Sequence, residues 1–379
     1  MNVPKLRFKE FNDEWSFTEL AKISSDISYG MGLASKEYDG VNKYIRITDI
    51  DETTNKYSNK DIVSPDGVLE DKYLVNKNDI LFARTGASTG KTYLYDEKDG
   101  KLYFAGFLIR ANIVNHDANF IFQQTKTNKY NKWVKIMSMR SGQPGINSQE
   151  YGSYKFSITS PEEEEKISKT LNLLDKKIEL QTKKIEDLKL FKKGLIFEAK
   201  KDKFDWKEFY IKDIFKITRG IVIPKTELTN TITDENIYPV YSSQTSNDGI
   251  LGYDKKYDFD GKYLTWTTDG ANAGSVFYRN GKFRCTNVCG VLYNENNNYV
   301  NEMIAELLNL ETPKYVSYVG NPKLMNNVMA DIKIELPNVN IQNKIATNLK
   351  LLNDKIILEN NKLNKLQQLK KGLMQNMFV

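Results

Sequence analysis

Cysteine and histidine are nearly missing: the 379 residues include two cysteines, Cys285 and Cys289, and one histidine, His116. A disulfide framework is excluded, and a structural zinc site would need two more soft ligands. The two thiols read as reduced residues on a strand over Phe283-Arg284-Cys285-Thr286-Asn287-Val288-Cys289. His116 stands alone in a polar stretch, so no acid–base dyad can be assembled around it. Long apolar runs are missing too. Nowhere do about 18 apolar residues follow one another, and Met1-Asn2-Val3-Pro4-Lys5 has no signal-peptide core, so the expected location is the cytoplasm, with no membrane partner. Charge of one sign is not dominant. Lys+Arg 55 against Asp+Glu 49 gives +6, which permits a nucleic-acid partner without demanding one.

Signatures of catalysis fail on spacing. Thr85-Gly86-Ala87-Ser88-Thr89-Gly90-Lys91-Thr92 ends like a phosphate loop but is one residue short between its glycines. A strand-like run, Thr92-Tyr93-Leu94-Tyr95, follows where that motif needs a helix, so a hairpin loop is expected. Pro65-Asp66 with Glu70-Asp71-Lys72 imitates a nuclease acid set, but three intervening residues are too few to turn a strand back. No Asn-Pro-Pro-aromatic tetrad is present. Catalytic and metal-ligating residues are therefore expected to be none.

What is present is a globular composition, 40% hydrophobic and 27% charged, in a chain long enough for two or three domains at about 150 residues each. It is also a repeat. Moving 178 positions carries Ile167, Leu171, Leu174, Ile178, Ile185 and Leu188 onto Ile345, Leu349, Leu352, Ile356, Leu363 and Leu366, and Lys192-Lys193-Gly194-Leu195 onto Lys370-Lys371-Gly372-Leu373. Gly142-Gln143-Pro144 precedes the first segment as Gly320-Asn321-Pro322 precedes the second. Trp15 with Leu20 and Ile23 recurs as Trp206 with Ile211 and Ile214, and these openings run into Gly30 and Gly220. The expected division is 1–160, 161–200, 201–336 and 337–379: a variable domain and a long helix, twice.

The apolar steps of three and four place those twelve residues on one narrow seam per helix. Two helices of matched phase, about 38 residues or ~57 Å each, are expected to pair as one coiled coil, antiparallel because the chain returns through a whole domain. Gln181 and Glu359 share one seam position and are expected to fix register. The intervening domains mix strand-like runs, such as Asp79–Arg84, Phe107–Asn112 and Gly261–Thr267, with helices near 119–140 and 299–310. The fold class is α/β or α+β, as a pseudo-twofold internal repeat.

Two dissimilar domains, each closed by a long helix ending in Lys-Lys-Gly-Leu, resemble the specificity subunit of a type I DNA restriction-modification enzyme. Asn78-Asp79-Ile80-Leu81-Phe82-Ala83-Arg84 with Gly86, Gly90 and Lys91 is similar to a segment of that family's target-recognition domains. So is Tyr238-Pro239-Val240-Tyr241-Ser242-Ser243 with Gly249-Ile250-Leu251-Gly252-Tyr253. Pro161 to Ile167 and Pro337 to Gln342 are loose versions of its phrase before each helix. The resemblance implies that each domain reads one half of a split, asymmetric site in double-stranded DNA, while the helices set the spacer and dock methyltransferase subunits. It implies two such modification subunits, with restriction–translocase subunits beside them. S-adenosylmethionine, ATP and magnesium would sit on those partners and no cofactor on this chain. The rival readings are a specificity polypeptide serving a fused methyltransferase-nuclease and a coiled-coil scaffold that binds proteins.

Charge by segment is +2, +1, −2 and +5, so the reading domains are nearly neutral and any DNA-facing surface must be a local segregation. Acid-free stretches hold Lys126, Lys129, Lys132, Lys135 and Arg140 in the first domain and Arg279, Lys282 and Arg284 in the second. Arg84, Lys91, Gln143, Asn147, Ser242, Gln244, Asn321 and Lys323 complete the candidates, since glycine-rich loops could carry them to bases or phosphates.

Overall fold

The computed structural model describes residues 2–140, 142–201, 206–296 and 298–379. By packing, the chain divides into Met1–Gln181 with Lys362–Val379, and Thr182–Asn361. Each unit therefore contains one variable domain and a part of both long helices, Pro161–Lys201 and Val339–Asn376.

The first unit is built on a four-stranded antiparallel sheet in the order Ser24–Tyr29, Leu108–Ile113, Asp79–Ala83, Thr92–Leu94. Asp79–Ala83 is buried along its whole length, as a central strand covered on both faces must be. The second unit repeats this order in Lys216–Arg219, Cys289–Tyr293, Phe259–Thr267 and Val276–Cys285, then adds Tyr238–Tyr241 and Ile250–Asp254. In both, a short antiparallel pair ties the opening strand to the one before the long helix: Ser16–Glu19 with Lys155–Ile158, and Lys207–Tyr210 with Lys333–Leu336.

The single helix expected near 119–140 is two helices, Ala118–Gln124 and Asn128–Met137. The break falls at Thr127, whose hydroxyl side chain accepts from the Tyr130 amide and caps the second helix. Likewise the single strand expected over Phe283–Cys289 is the end of one strand and the start of another, with Cys285 and Cys289 both buried and free. Burial pushes both thiols up, Cys289 to about 11, so neither is a nucleophile at neutral pH.

The long helices pair antiparallel. In the second unit, Lys184 Nζ donates to Glu359 at 2.9 Å and Lys192 Nζ to Asn353 at 2.9 Å, so numbers rise along one helix as they fall along the other. In the first unit Lys370 pairs with Asp175. All twelve seam residues are buried or half-buried. The seam also feeds the domains. Ile167 and Leu171 enter the first core beside Trp15, Phe120 and Phe156, while Ile345 and Leu349 pack in the second core beside Leu308 and Leu336. Each core is then finished by the far end of the other repeat's helix: Met374 and Met377 in the first unit, Ile196 in the second.

Candidate nucleic-acid interface

One loop frame recurs in the two domains despite unlike sequences. In the first, the Gly86 amide donates to Pro144 O at 2.9 Å, the Ile146 amide to Arg84 O at 2.9 Å, and the Gly90 amide to Ala83 O at 2.9 Å. In the second, Gly270 donates to Pro322 O at 2.9 Å, Leu324 to Thr268 O at 2.9 Å, and Gly274 to Thr267 O at 2.8 Å. Gly86 and Gly270 both turn the chain with positive φ, +72° and +95°, where a β-carbon is strained. The phosphate-loop look-alike is thus a hairpin loop leading into the strand Thr92–Leu94. Beside it a second close approach is shared. A β-carbon on Gly30 would lie 2.3 Å from Ala105 O, and one on Gly220 would lie 2.1 Å from Cys285 O.

The frame displays different side chains. In the first unit the Arg84 guanidinium lies 5.0 Å from the Tyr29 ring and 5.9 Å from the Phe107 ring, and its Nε donates to Gly106 O at 2.9 Å. Phe107 is 60% exposed, so part of its ring is open to solvent beside the Arg84 guanidinium. Tyr29 is pinned to the first residue of a neighbouring short helix, its hydroxyl accepting from the Ser148 amide at 3.0 Å. Gln143 is exposed next to Gly86, and Asn147 is occupied as the N-cap of the helix Ser148–Gly152. Asn128–Met137 flanks this surface, with Val134 filling the space over Gly90. On it Lys132 and Lys135 are exposed and have no ion-pair partner among the described residues.

Other basic candidates are engaged within the unit. Lys91 Nζ donates to Ile50 O at 3.2 Å and pairs with Glu52 at 3.3 Å; Arg140 pairs with Glu150 at 2.5 Å. Lys129 donates to Val379 O at 3.2 Å over the Phe17 ring. Burial and the nearby Lys370 ammonium pull Lys126 down to about 8. It lies 4.1 Å over the Phe122 ring.

In the second unit Asn321 and Lys323 are exposed on the frame, Lys323 lying 3.8 Å from Asp269. Arg279 and Arg284 are internal: Arg279 holds Asp248 at 2.7 Å with Tyr241 stacked on it at 3.6 Å, and Arg284 holds Asp254 at 2.5 Å and Asp258 at 3.0 Å. Ser242 accepts from the Thr286 hydroxyl at 3.0 Å, Gln244 donates to Ile250 O, and Lys282 lies 4.5 Å over the Tyr257 ring. Three residues of these surfaces escape sequence reasoning: Tyr29, Phe107 and Arg219. The last ends a strand one residue before Gly220, as Tyr29 stands before Gly30, and the shared Trp-to-Gly opening is the signal that points to both.

No group of three or more His, Cys, Asp or Glu among the described residues could hold a metal ion, and no described helix is long and apolar enough to cross a membrane. The family model for the type I restriction modification DNA specificity domain matches twice, at residues 14–190 and 203–368. The chain belongs to this family. As a specificity subunit it is 48% identical over 142 residues to a Mycoplasma pneumoniae protein described as the N-terminus of a putative type I specificity subunit, covering 37% of this chain and 74% of that one. It is also 48% identical over 151 residues to the specificity subunit of the type I restriction enzyme MpnII of the same organism, covering 38% of this chain but only 44% of that subunit. The crystal structure of a type I restriction-modification S subunit from M. genitalium shares the fold, with a TM-score of 0.71 at 16% identity over 100% of this chain and 99% of that one. Two specificity domains in one chain, each with its own loop frame, make this a DNA sequence-specificity subunit of the type I class.

Proposed function

We propose that each domain of this specificity subunit reads one half of a split, asymmetric DNA site through its loop frame, and that the chain itself neither methylates nor cuts. The observation that carries this reading is the frame: the same backbone hydrogen bonds hold Arg84 and Gln143 in one domain and Thr268 and Asn321 in the other. A fixed scaffold with exchanged side chains supports two half-sites of different sequence. Glutamine and asparagine at matched places carry the paired donor and acceptor that suit an adenine edge. Lys132 and Lys135 would supply phosphate contacts beside the first frame, which position the protein without selecting sequence.

The partner reading rests on the helices. Leu173 and Leu180 are 70% and 59% exposed, and their counterparts 178 residues on, Leu351 and Leu358, are 65% and 54% exposed. These leucines lie outside the seam at heptad spacing in both repeats, so the helices offer one apolar strip each to further helices. Two equivalent strips favour two copies of one partner, the modification subunit, with S-adenosylmethionine, ATP and magnesium held by the partner subunits. Methylation mapping of the host genome, with and without this chain, tests the function. The expected result is a split, adenine-methylated motif that vanishes on deletion; an unchanged methylome would refute it. Leu173→Asp/Leu351→Asp should leave the fold intact and abolish co-purification of the modification subunit.

A further inference from the structure

Arginine usage separates two side chains from the rest. The chain has eight arginines. Arg7, Arg46, Arg110, Arg140, Arg279 and Arg284 each hold a carboxylate within their own unit. Arg84 and Arg219 hold none among the described residues, and there is one in each unit. Arg84 lies over Tyr29, which precedes Gly30, and Arg219 takes the place of Tyr29 before Gly220, while the counterpart of Arg84 in the loop frame is Thr268.

Their settings differ in what they leave free. Arg84 is half-buried, with Nε committed to Gly106 O and its plane beside the Tyr29 and Phe107 rings, so that the two terminal nitrogens are left without a partner among the described residues on a side chain already ordered. Two parallel donors on a fixed plane match guanine O6 and N7; adenine offers a donor at one of those positions, which a guanidinium cannot accept. Because the arginine is ordered before binding, less rotamer entropy is lost on contact. Arg219 is exposed at a strand end with no side-chain hydrogen bond or ring contact among the described residues, an unanchored cation suited to a phosphate rather than to a base edge.

We propose that Arg84 reads a guanine in the half-site addressed by the first unit and that Arg219, which takes the place of Tyr29 in the second, holds a backbone phosphate. The inference rests on the DNA-reading function above and adds the base and the residue. It is tested with the complete complex, this chain with its modification subunits, on a DNA library in which every position of the methylated motif is varied. Arg84→Ala should lower discrimination at one guanine of one half by about 5-fold to about 150-fold and leave the other half unchanged. Arg84→Lys keeps the charge and the fold but lacks the fork, so it should lose most of that discrimination while binding nearly as tightly. Arg219→Ala should weaken all sequences alike and reduce the salt slope by about 1. Unchanged discrimination at every position in both Arg84 variants overturns the assignment while leaving the function standing. A wild-type complex with no split preference at all would overturn both.

Discussion

The two units use the same strand order and the same loop hydrogen bonds, yet differ in how they use charge. At the start of the first long helix, Glu163 is fully buried and accepts from Arg7 at 2.7 Å twice, from Trp15 Nε1 at 3.1 Å and from Thr159. The matched place in the second helix is Ile341, 39% exposed. One position later the pattern is closer: Glu164 accepts from the Asp117 and Thr159 amides and pairs with His116, while Gln342 accepts from Asn301 at 3.3 Å and donates to Pro337 O at 2.8 Å. Backbone geometry is the inherited part. Side-chain chemistry is free to diverge wherever the backbone does not depend on it, which is the property that the proposed reading of two unequal half-sites requires.

The largest effect should come from breaking what only the first unit has. Arg7→Ala strands a buried carboxylate and should destabilise the first unit by about 3–5 kcal/mol, moving one thermal transition and leaving the other in place. Burial pushes the Glu163 carboxyl up, but Arg7 and Thr159 outweigh it and hold it below the usual carboxylate range. A depressed carboxyl stabilises above its unfolded value and loses that contribution as the pH falls through its folded one. The Arg7→Ala deficit should therefore shrink below about pH 4, and a pH-independent deficit would show that the ion pair is not its source.

Next come changes that should cost both units alike. Gly30→Ala and Gly220→Ala each drive a β-carbon into a backbone carbonyl, for about 1–3 kcal/mol apiece, and unequal melting shifts would deny the equivalence of the two frames. Asp117 and Asn301 each cap a domain helix and bond a side chain of the long helix, Ser168 and Gln342 respectively. Replacing either by Ala should cost about 1 kcal/mol in denaturant unfolding. Smallest is Lys132→Ala/Lys135→Ala, which should lower the salt slope of DNA binding by about 2 with no change in base preference; a shift in preference would make those lysines readers.

The repeat and the twelve seam residues were legible from spacing alone, because heptad periodicity records burial directly, and the antiparallel pairing of the helices from the chain's return through a whole domain. The engagement of Arg279 and Arg284 was not, since their partners Asp248, Asp254 and Asp258 lie 26 to 31 positions away and meet them only across strands. Arg84 is visible as a basic residue at a glycine-rich loop, but its aromatic walls come from two other strand ends, one of them at Tyr29 and the other beside Phe107. Nor does a heptad say which core its last residues enter. Met374 and Met377 continue the pattern of the second helix and pack in the first unit.

That placement has a consequence for the order of events at the ribosome. Residues 182–361 form the second unit from one continuous stretch, so it can close as soon as it has emerged. The first unit, although translated earlier, keeps Trp15 and Phe120 without the rings and sulfurs of Met374, Met377 and Phe378 until the last turns of the second helix are made. Synthesis runs from the amino end while completion runs the other way. A nascent chain halted before residue 374 would carry one finished domain and one open core, an exposed apolar surface that chaperones or proteases could use to separate complete readers from truncated ones.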